Sequence, residues 1–600
     1  MSAQQLITEH IDLWTSTIKA KNTQGRGSSK KRELYGIKKL RELILELAVR
    51  GKLVPQDPSD EPASVLLERI AAEKAQLIKD KKIKKQKALP EITGEDKPFI
   101  LPEGWAGAYL DSISDINGGF AFKSSQYIEN GIRVIRISDF DEKGFKDDKV
   151  VRHQYSDLLR QYVLEENNIL MAMTGGTVGK CFLVGHLREK MVVNQRVATI
   201  KISSKISPVF LSCVLQSSMA KNVIHEAKNS TNDNISMSQI KGFFIPVPAL
   251  AEQHRIVAKV DELMALCDQL EQQTETSLDA HNLLVDTLLS TLTDASDAKE
   301  LSDNWARFMT TDGLYAGNAG ATSGSQSIFD TLITTDYAVE QLKQTILQLA
   351  VMGKLVPQNP NDEPASELLK RIAAEKEQLV KDKKIKKQKP LPEITDEEKP
   401  FELPTGWARC RLQDSIDVRD GTHDSPKNAD GKSTFPLITS KNFIDGAIDF
   451  DSARRISEKD HFEISKRSLV EVDDILFSMI GGNIGNQVIV RDTQPFSVKN
   501  VALFKYYDKT ATAPGFFKIY TEELAVELQL QASGGAQPFV SLGALRKLVF
   551  SLPPIEEQHR IVVKVDELMA LCDQLKTQLN NAQTTQLHLS DAVVENALTS

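Results

Sequence analysis

The chain is written twice. Residues 47–105, from LAVRGKLVPQ to LPEGW, return at 349–407 with an offset of 302; 12 of the 59 positions differ, so 47 are identical. A second block, EQHRIVAKVDELMALCDQL at 252–270, returns at 557–575 with one change, Ala258 to Val563. A period near 300 is far too long for a solenoid, whose units run to roughly 20–45 residues. The duplication therefore makes an intramolecular pseudo-dimer. Between the repeated blocks lie 106–245 and 408–550, which match poorly. Asn168-Ile169-Leu170 with Gly175, Gly176 and Gly179 still parallels Asp474-Ile475-Leu476 with Gly481, Gly482 and Gly485. One scaffold with two different faces suggests two different targets read by one framework.

The organisation that follows is an N-terminal segment and first spacer (1–105), a first divergent domain (106–245), a long helix (250–295), a linker (296–335), a second spacer (336–407), a second divergent domain (408–550) and a second long helix (555–600). The fold class expected is α+β: two mixed α/β domains separated by two long helices pairing as an antiparallel coiled coil, with a pseudo-two-fold internal repeat. Residues 62–87 and 364–389 read as helices, with Asp60 or Asp362 able to cap and Pro62 or Pro364 in the first turn. The EQHR blocks open the long helices, where acidic Glu252 or Glu557 suits the positive helix start. Apolar residues then recur at 3-4 spacing: Ile256, Val260, Leu263, Cys267, Leu270, Leu284 and Leu288 in one copy, Ile561 to Val593 in the other. About 41 residues at about 1.5 Å rise makes a rod near 60 Å. The glycine- and serine-rich run within 296–327 reads as a flexible linker.

Composition removes several classes. Five cysteines without a CxxC pair exclude a disulfide scaffold and a zinc ribbon, and fit a reducing cytosol. No run of about 18 apolar residues and no secretory leader occurs, so a cytoplasmic protein with no membrane association is expected. The net charge of −8 argues against a protein coated in positive charge, yet a local basic surface is enough for DNA. Catalytic signatures are missing too. There is no Asn/Asp-Pro-Pro-aromatic tetrapeptide, no GxSxG and no HExxH, and the ten histidines lack metal spacing. The sequence from Gly175 to Cys181 misses P-loop spacing and has Cys in place of Ser/Thr. The repeated pair His254 and His559 reads as packing or capping in a first helical turn. Neither a catalytic residue nor a metal ligand is assigned, and no cofactor is expected in the chain itself.

The segment ITEHIDLWTSTIKAKN at 7–22, the GKLVPQ and DEPAS blocks, the LPEGW box and the PP-IEEQHRIV lead-in resemble specificity subunits of Type I restriction–modification systems, over both halves of the chain. The resemblance implies a non-catalytic subunit whose two target-recognition domains each read one half of a split double-stranded DNA sequence. It implies two methyltransferase subunits carrying S-adenosylmethionine and acting on adenine amino groups, and restriction/translocase subunits using ATP and Mg.

Base reading needs forked donors and acceptors on elements that reach a groove, and only the divergent domains differ between halves. In the first, the candidates are Phe120 and Lys123 in a glycine-led loop, Lys180 after a glycine-rich turn, the triplet Asn194, Gln195 and Arg196, and Asn232. In the second they are Arg419, Thr422 and His423 in the loop equivalent to that of Phe120, then Lys441, Asn442, Asn483, Lys499, Asn500 and Gln537. Bulk charge does not select among them: residues 106–250 carry 17 basic and 14 acidic side chains, net +3, and 408–555 carry 18 and 19, net −1. The lysine runs KDKKIKKQK at 79–87 and 381–389 leave three readings open: a solvated helix end, phosphate contact, or methyltransferase docking. A catalytic nuclease and a protein-only adaptor are the rival functional classes.

Overall fold

The structure, a computed structural model, describes residues 3–20, 32–83, 89–94, 96–227, 234–309, 327–399, 401–431, 433–444, 446–531 and 539–599. It divides into two units, one of residues 1–24, 28–276 and 583–600, the other of residues 25–27 and 277–582.

The poorly matching middles have one topology. In the first unit a four-stranded antiparallel sheet runs Cys181–Leu183, Ile169–Ala172, Val197–Ile202, Ser114–Gly118. In the second the same order is Gln487–Ile489, Ile475–Ser478, Val501–Tyr506, Ile416–Asp420. The strands Ile169–Ala172 and Ile475–Ser478 are buried at every position, as continuous apolar runs covered on both faces must be. A three-stranded sheet follows in each: Met191–Val193 parallel to Ile132–Ile135, itself antiparallel to Val151–His153; and Ser497–Val498, Thr434–Ile438, Arg454–Ser457 with the same senses. The ends of each domain are tied by a two-stranded sheet, Ala106–Tyr109 with Phe244–Val247 and Ala408–Arg411 with Val549–Leu552. The strand after LPEGW thus pairs with the strand before EQHR, which is why the repeated blocks flank the variable ones.

The repeated blocks meet through their polar residues. Trp105 Nε1 donates to Glu252 at 3.0 Å and Trp407 Nε1 to Glu557 at 3.0 Å. Gln56 and Gln358 donate to the same carboxylates at 3.4 and 3.2 Å. Burial pushes both glutamic acids above their ordinary pKa, and the indole and amide donors only partly offset it. These residues are anchors between segments, not dipole partners at an exposed helix start. Arg255 pairs with Asp60 at 2.6 Å and Arg560 with Asp362 at 2.7 Å, so the two aspartates hold the long helix and do not cap the short one. Pro62 and Pro364 occupy the cap positions without a side-chain cap bond. His254 and His559, expected to pack or cap, are exposed. Gln253 and Gln558 beside them are wholly buried.

The short helices stop early, at Ala63–Lys79 and Ala365–Lys381. Each ends in a reciprocal pair of backbone bonds: Lys82 N to Leu77 O (2.9 Å) with Lys81 N to Ile78 O (3.0 Å), and Lys384 N to Leu379 O (2.9 Å) with Lys383 N to Val380 O (3.1 Å). That is the Schellman closure, and its left-handed position is filled by Lys81 (φ 57°) and Lys383 (φ 59°). Lys383 to Lys389 of the second run therefore lie beyond its helix, while residues 84–88, with the end of the first run, lie outside the described residues.

The long helices run Leu250–Thr293 and Ile555–Thr599. In the first unit, Ile256, Val260, Leu263, Cys267 and Leu270 share a core with Val593, Val594, Ala597 and Leu598. In the second, Val285, Leu289 and Leu292 share a core with Ile561, Val565 and Cys572. Each unit joins the start of one long helix to the end of the other, so the helices are antiparallel. The exchange is reciprocal in detail. Tyr35 donates to Asp591 and Tyr337 to Asp286, both at 2.9 Å; Lys52 donates to Leu598 O (3.1 Å) and Lys354 to Thr293 O (2.7 Å). The expected seam slips by one residue past its middle. Leu284 and Leu589 are exposed, each at 50%, while Val285 and Ser590 are fully buried. Two successive four-residue steps, 270–274–278, rephase the stripe, because a strict heptad drifts by about 20° per repeat on a straight helix. Ser590 meets Thr17 Oγ1 at 3.0 Å, which satisfies its hydroxyl in the core.

The linker is also corrected. Ala298–Met309 is a helix in the second unit, with Trp305, Phe308 and Phe329 stacked edgewise or tilted at 5.7–6.1 Å. The spacing Leu301-Trp305-Phe308 was its sequence signal. Residues 310–326, with most of the glycine- and serine-rich run, lie outside the described residues.

Candidate nucleic-acid interface

Four loops converge at one end of each four-stranded sheet. In the first domain the loop after Gly118 meets the turn at 194–196, where Phe120 N donates to Val193 O (2.8 Å) and Gln195 N to Phe120 O (2.9 Å). Met173 N donates to Arg196 O (3.0 Å) and Ile235 N to Met173 O (2.9 Å), adding the loops after Ala172 and before Ile235. The second domain repeats three of these four bonds: Thr422 N to Val498 O (2.9 Å), Asn500 N to Thr422 O (3.2 Å) and Val540 N to Met479 O (2.9 Å). Such close approach requires glycine. A Cβ on Gly119 would lie 2.2 Å from Val193 O, and one on Gly421 2.5 Å from Val498 O. The glycine-rich turns have a structural cause too: Gly179 and Gly485 adopt φ of +83° and +87° against Ile224 and Ala525.

The candidates separate by what their side chains already do. Lys123, Gln195 and Arg196 are exposed at the convergence with no side-chain partner among the described residues. Asn194 is half-buried and its Oδ1 accepts Arg196 N, which shapes the turn. Lys180 donates to Phe140 O at 3.1 Å. Phe120 is not a free apolar tip. It stacks edgewise on Phe122 and Tyr162 (5.0 and 5.5 Å) against a small core of Ile132, Val134, Leu159 and Val192.

In the second domain His423 bridges Asn500 Oδ1 (3.3 Å) and Asp420 Oδ2 (3.1 Å), coupling two loops. Lys499 contacts Ser425 Oγ. Lys441 and Asn483 are exposed without a side-chain partner among the described residues. Three candidates are engaged internally. Arg419 is paired with Asp417 at 2.6 Å. Thr422 is buried and accepts Asp424 N. Asn442 is buried; its Oδ1 accepts Thr439 N (2.9 Å) and its amide donates to Ser452. Asp139 accepts Arg136 N in the same position of the first domain, so Asn442 is a turn residue by equivalence. Asn232 and Gln537 lie outside the described residues. Sequence reasoning missed Arg467, which donates to Gly421 O (3.1 Å) from the last turn of helix Glu458–Ser468 and stays 60% exposed. Its only signal was a basic pair ending an otherwise unremarked helix.

Among the described residues no group of three His, Cys, Asp or Glu side chains could hold a metal. No helix of the described residues is long and apolar enough to cross a membrane.

Residues 102–280 and 404–583 match the family described as Type I restriction modification DNA specificity domain. The chain is 41% identical over 624 residues to the Escherichia coli Type I restriction enzyme EcoAI specificity subunit, covering all of both chains. It is 39% identical over 625 residues to the Escherichia coli EcoEI specificity subunit, again at full coverage of both. Among solved structures, the HsdS subunit from Thermoanaerobacter tengcongensis aligns with a TM-score of 0.37 at 16% identity, over 84% of this chain and 98% of that one. The chain belongs to the family of Type I restriction–modification specificity subunits.

Proposed function

We propose that each divergent domain reads one half of a two-part DNA target through the four loops gathered at one end of its sheet. The observation that carries this is equivalence without identity. The loops occupy matching positions on one topology, yet Gln195-Arg196 faces the place held by Asn500, and Phe120 that of Thr422. Conserved placement with altered donors is what two different sequences read by one framework requires. The antiparallel helices set the unspecified gap between the half-sites. Two methyltransferase subunits dock on the repeated framework, bringing S-adenosylmethionine to an adenine in each half-site. Restriction/translocase subunits supply ATP- and Mg-dependent chemistry. The chain itself directs these reactions in the cytoplasm and performs none of them.

Replacing residues 106–245 by the same region of a relative tests the modular reading. Methylated-site mapping should show one half of the target changed and the other retained. A change in both halves sinks the proposal.

A further inference from the structure

We infer that Phe539 and Ile480 form an apolar base-reading surface of the second domain, which recognises a thymine by its 5-methyl group. The inference rests on the proposed reading of one half-site by each divergent domain, and adds to it the base and the atom that are read.

Register brings the two residues together. Strand Ile475–Ser478 runs on into Met479 and Ile480, and Val540 N donates to Met479 O (2.9 Å). Ile480 and Phe539 form an isolated antiparallel bridge. Side chains directly opposite in a ladder share a face, and successive residues alternate between faces. Met479 (1% exposed) and Val540 (7%) take the core face. Ile480 and Phe539 are left on the other: Ile480 is half-buried where it borders the core, and Phe539 is 56% exposed. The pair stands at the reading end of the sheet, where Ser478 pairs with Val501 and Asp420 with Ala502. The turn Gly481–Asn483 follows Ile480 directly. A Cβ on Gly481 or Gly482 would meet nothing within 4 Å, so the crest of that turn is open to close approach.

Single exposed apolar side chains are common, so exposure by itself assigns nothing. Comparison with the first domain does. There Ile235 N donates to Met173 O (2.9 Å) and Thr174 bridges Asn234, the same register on the same topology. Ile235 is buried, whereas Asn234 is exposed with no side-chain partner among the described residues. The core face of the ladder is thus apolar in both domains, Met173 and Ile235 against Met479 and Val540. The other face changes character completely, from Thr174 and Asn234 to Ile480 and Phe539. Phe462, equally exposed, leans on Phe435 and His461 at ring-centroid distances of 6.4 and 5.7 Å. Phe539 has no ring partner among the described residues.

Base chemistry names the ligand. The major-groove edges of the four base pairs present donors, acceptors and one apolar substituent, the 5-methyl of thymine. A surface with no side-chain donor or acceptor gains from that group alone. Asn234 at the equivalent place carries the forked donor and acceptor that suit adenine N6 and N7. One framework position therefore reads opposite kinds of base edge in the two domains.

The test is binding of the full chain, with its methyltransferase subunits, to target DNA whose thymines are replaced by deoxyuridine one at a time on both strands. That change removes only the methyl group and leaves the protein untouched. The half-site retained when residues 106–245 are replaced is the one the second domain reads. Within it, one position should bind about fourfold more weakly as deoxyuridine, the loss of one buried methyl. Phe539→Ala should bind thymine and deoxyuridine at that position within about 1.5-fold of each other, while Phe539→Leu should keep a preference for thymine of at least about twofold. A half-site without thymine, or without a methyl-sensitive position, overturns the inference. So does a preference that survives in Phe539→Ala with both DNAs weakened alike, which would make the ring a wedge between base pairs. If replacing 106–245 changes both halves of the target, the underlying half-site reading fails as well. One changed half with no methyl-sensitive thymine in the other leaves that reading standing and removes this inference alone.

Discussion

Gln558 is wholly buried, and its amide closes three hydrogen bonds at the junction of the second domain and its long helix. Nε2 donates to Ala511 O (3.1 Å) and Pro553 O (3.0 Å), and Oε1 accepts Ala513 N (2.7 Å). Its repeat partner Gln253 makes two: Nε2 to Pro248 O (3.1 Å) and Ser207 N to Oε1 (2.8 Å). Methionine keeps the volume and removes every bond. At about 1 kcal/mol net per bond, Gln558→Met should cost about 3 kcal/mol locally and Gln253→Met about 2 kcal/mol. A chain of two units is not expected to unfold in one step, so global melting is the wrong readout. Native-state hydrogen exchange at the two freed amides is the right one. Ala513 should exchange roughly a hundredfold faster in Gln558→Met, and Ser207 roughly thirtyfold faster in Gln253→Met, at about 1.4 kcal/mol per decade. Rates raised less than about fivefold in both, or a larger effect at Ser207 than at Ala513, would refute the account of these glutamines as junction clamps.

Glu252 and Glu557 bind protons more tightly folded than unfolded, because burial raises their pKa. Their contribution is full at low pH and is lost as pH rises from the unfolded value of about 4.3 through the raised folded value, so the Glu252→Gln, Glu557→Gln double variant should show unfolding transitions with a flatter pH profile above pH ~4. Lys383→Gly should raise the stability of the second unit by about 0.5–1 kcal/mol, read as slower native-state hydrogen exchange in helix Ala365–Lys381, because glycine takes the left-handed position without strain. A chain ending at Met309 lacks residues 583–600, but its own Asp286 and Thr293 are the repeat equivalents of Asp591 and Leu598; it should form a homodimer in sedimentation, and a well-folded monomer would contradict the reciprocal exchange. Gln195→Ala or Arg196→Ala in the assembled methyltransferase should lower discrimination between target and non-target DNA by about 1–3 kcal/mol in competition binding, with the Arg196 variant losing no more than about one contact in salt slope.

The duplication, the two domains it brackets, the long helices and the loops worth suspecting are all written in local pattern: identity between blocks, 3-4 apolar spacing, glycine-led turns. Those signals survive in one dimension because each arises from neighbours along the chain. Residues 118–123 and 194–196 could be named separately, but their meeting depends on register between distant strands, which closes only when Gly119 lets two backbones touch. The EQHR motif was visible, yet its histidine drew notice while the glutamate and glutamine went into the core. Periodicity marks a position as inward only when its residue is apolar, and the donors that make Glu252 and Gln253 tolerable inside come from Trp105, Gln56 and Ser207. Sequence equally leaves open whose helix end completes which core. Because the two copies carry the same spacer and nearly the same helix start, a helix returning to its own half would satisfy the same pattern. Only the packed chain selects the exchange, because each 44- or 45-residue helix runs out of its own unit and places Asp286 or Asp591 against the tyrosine of the other copy.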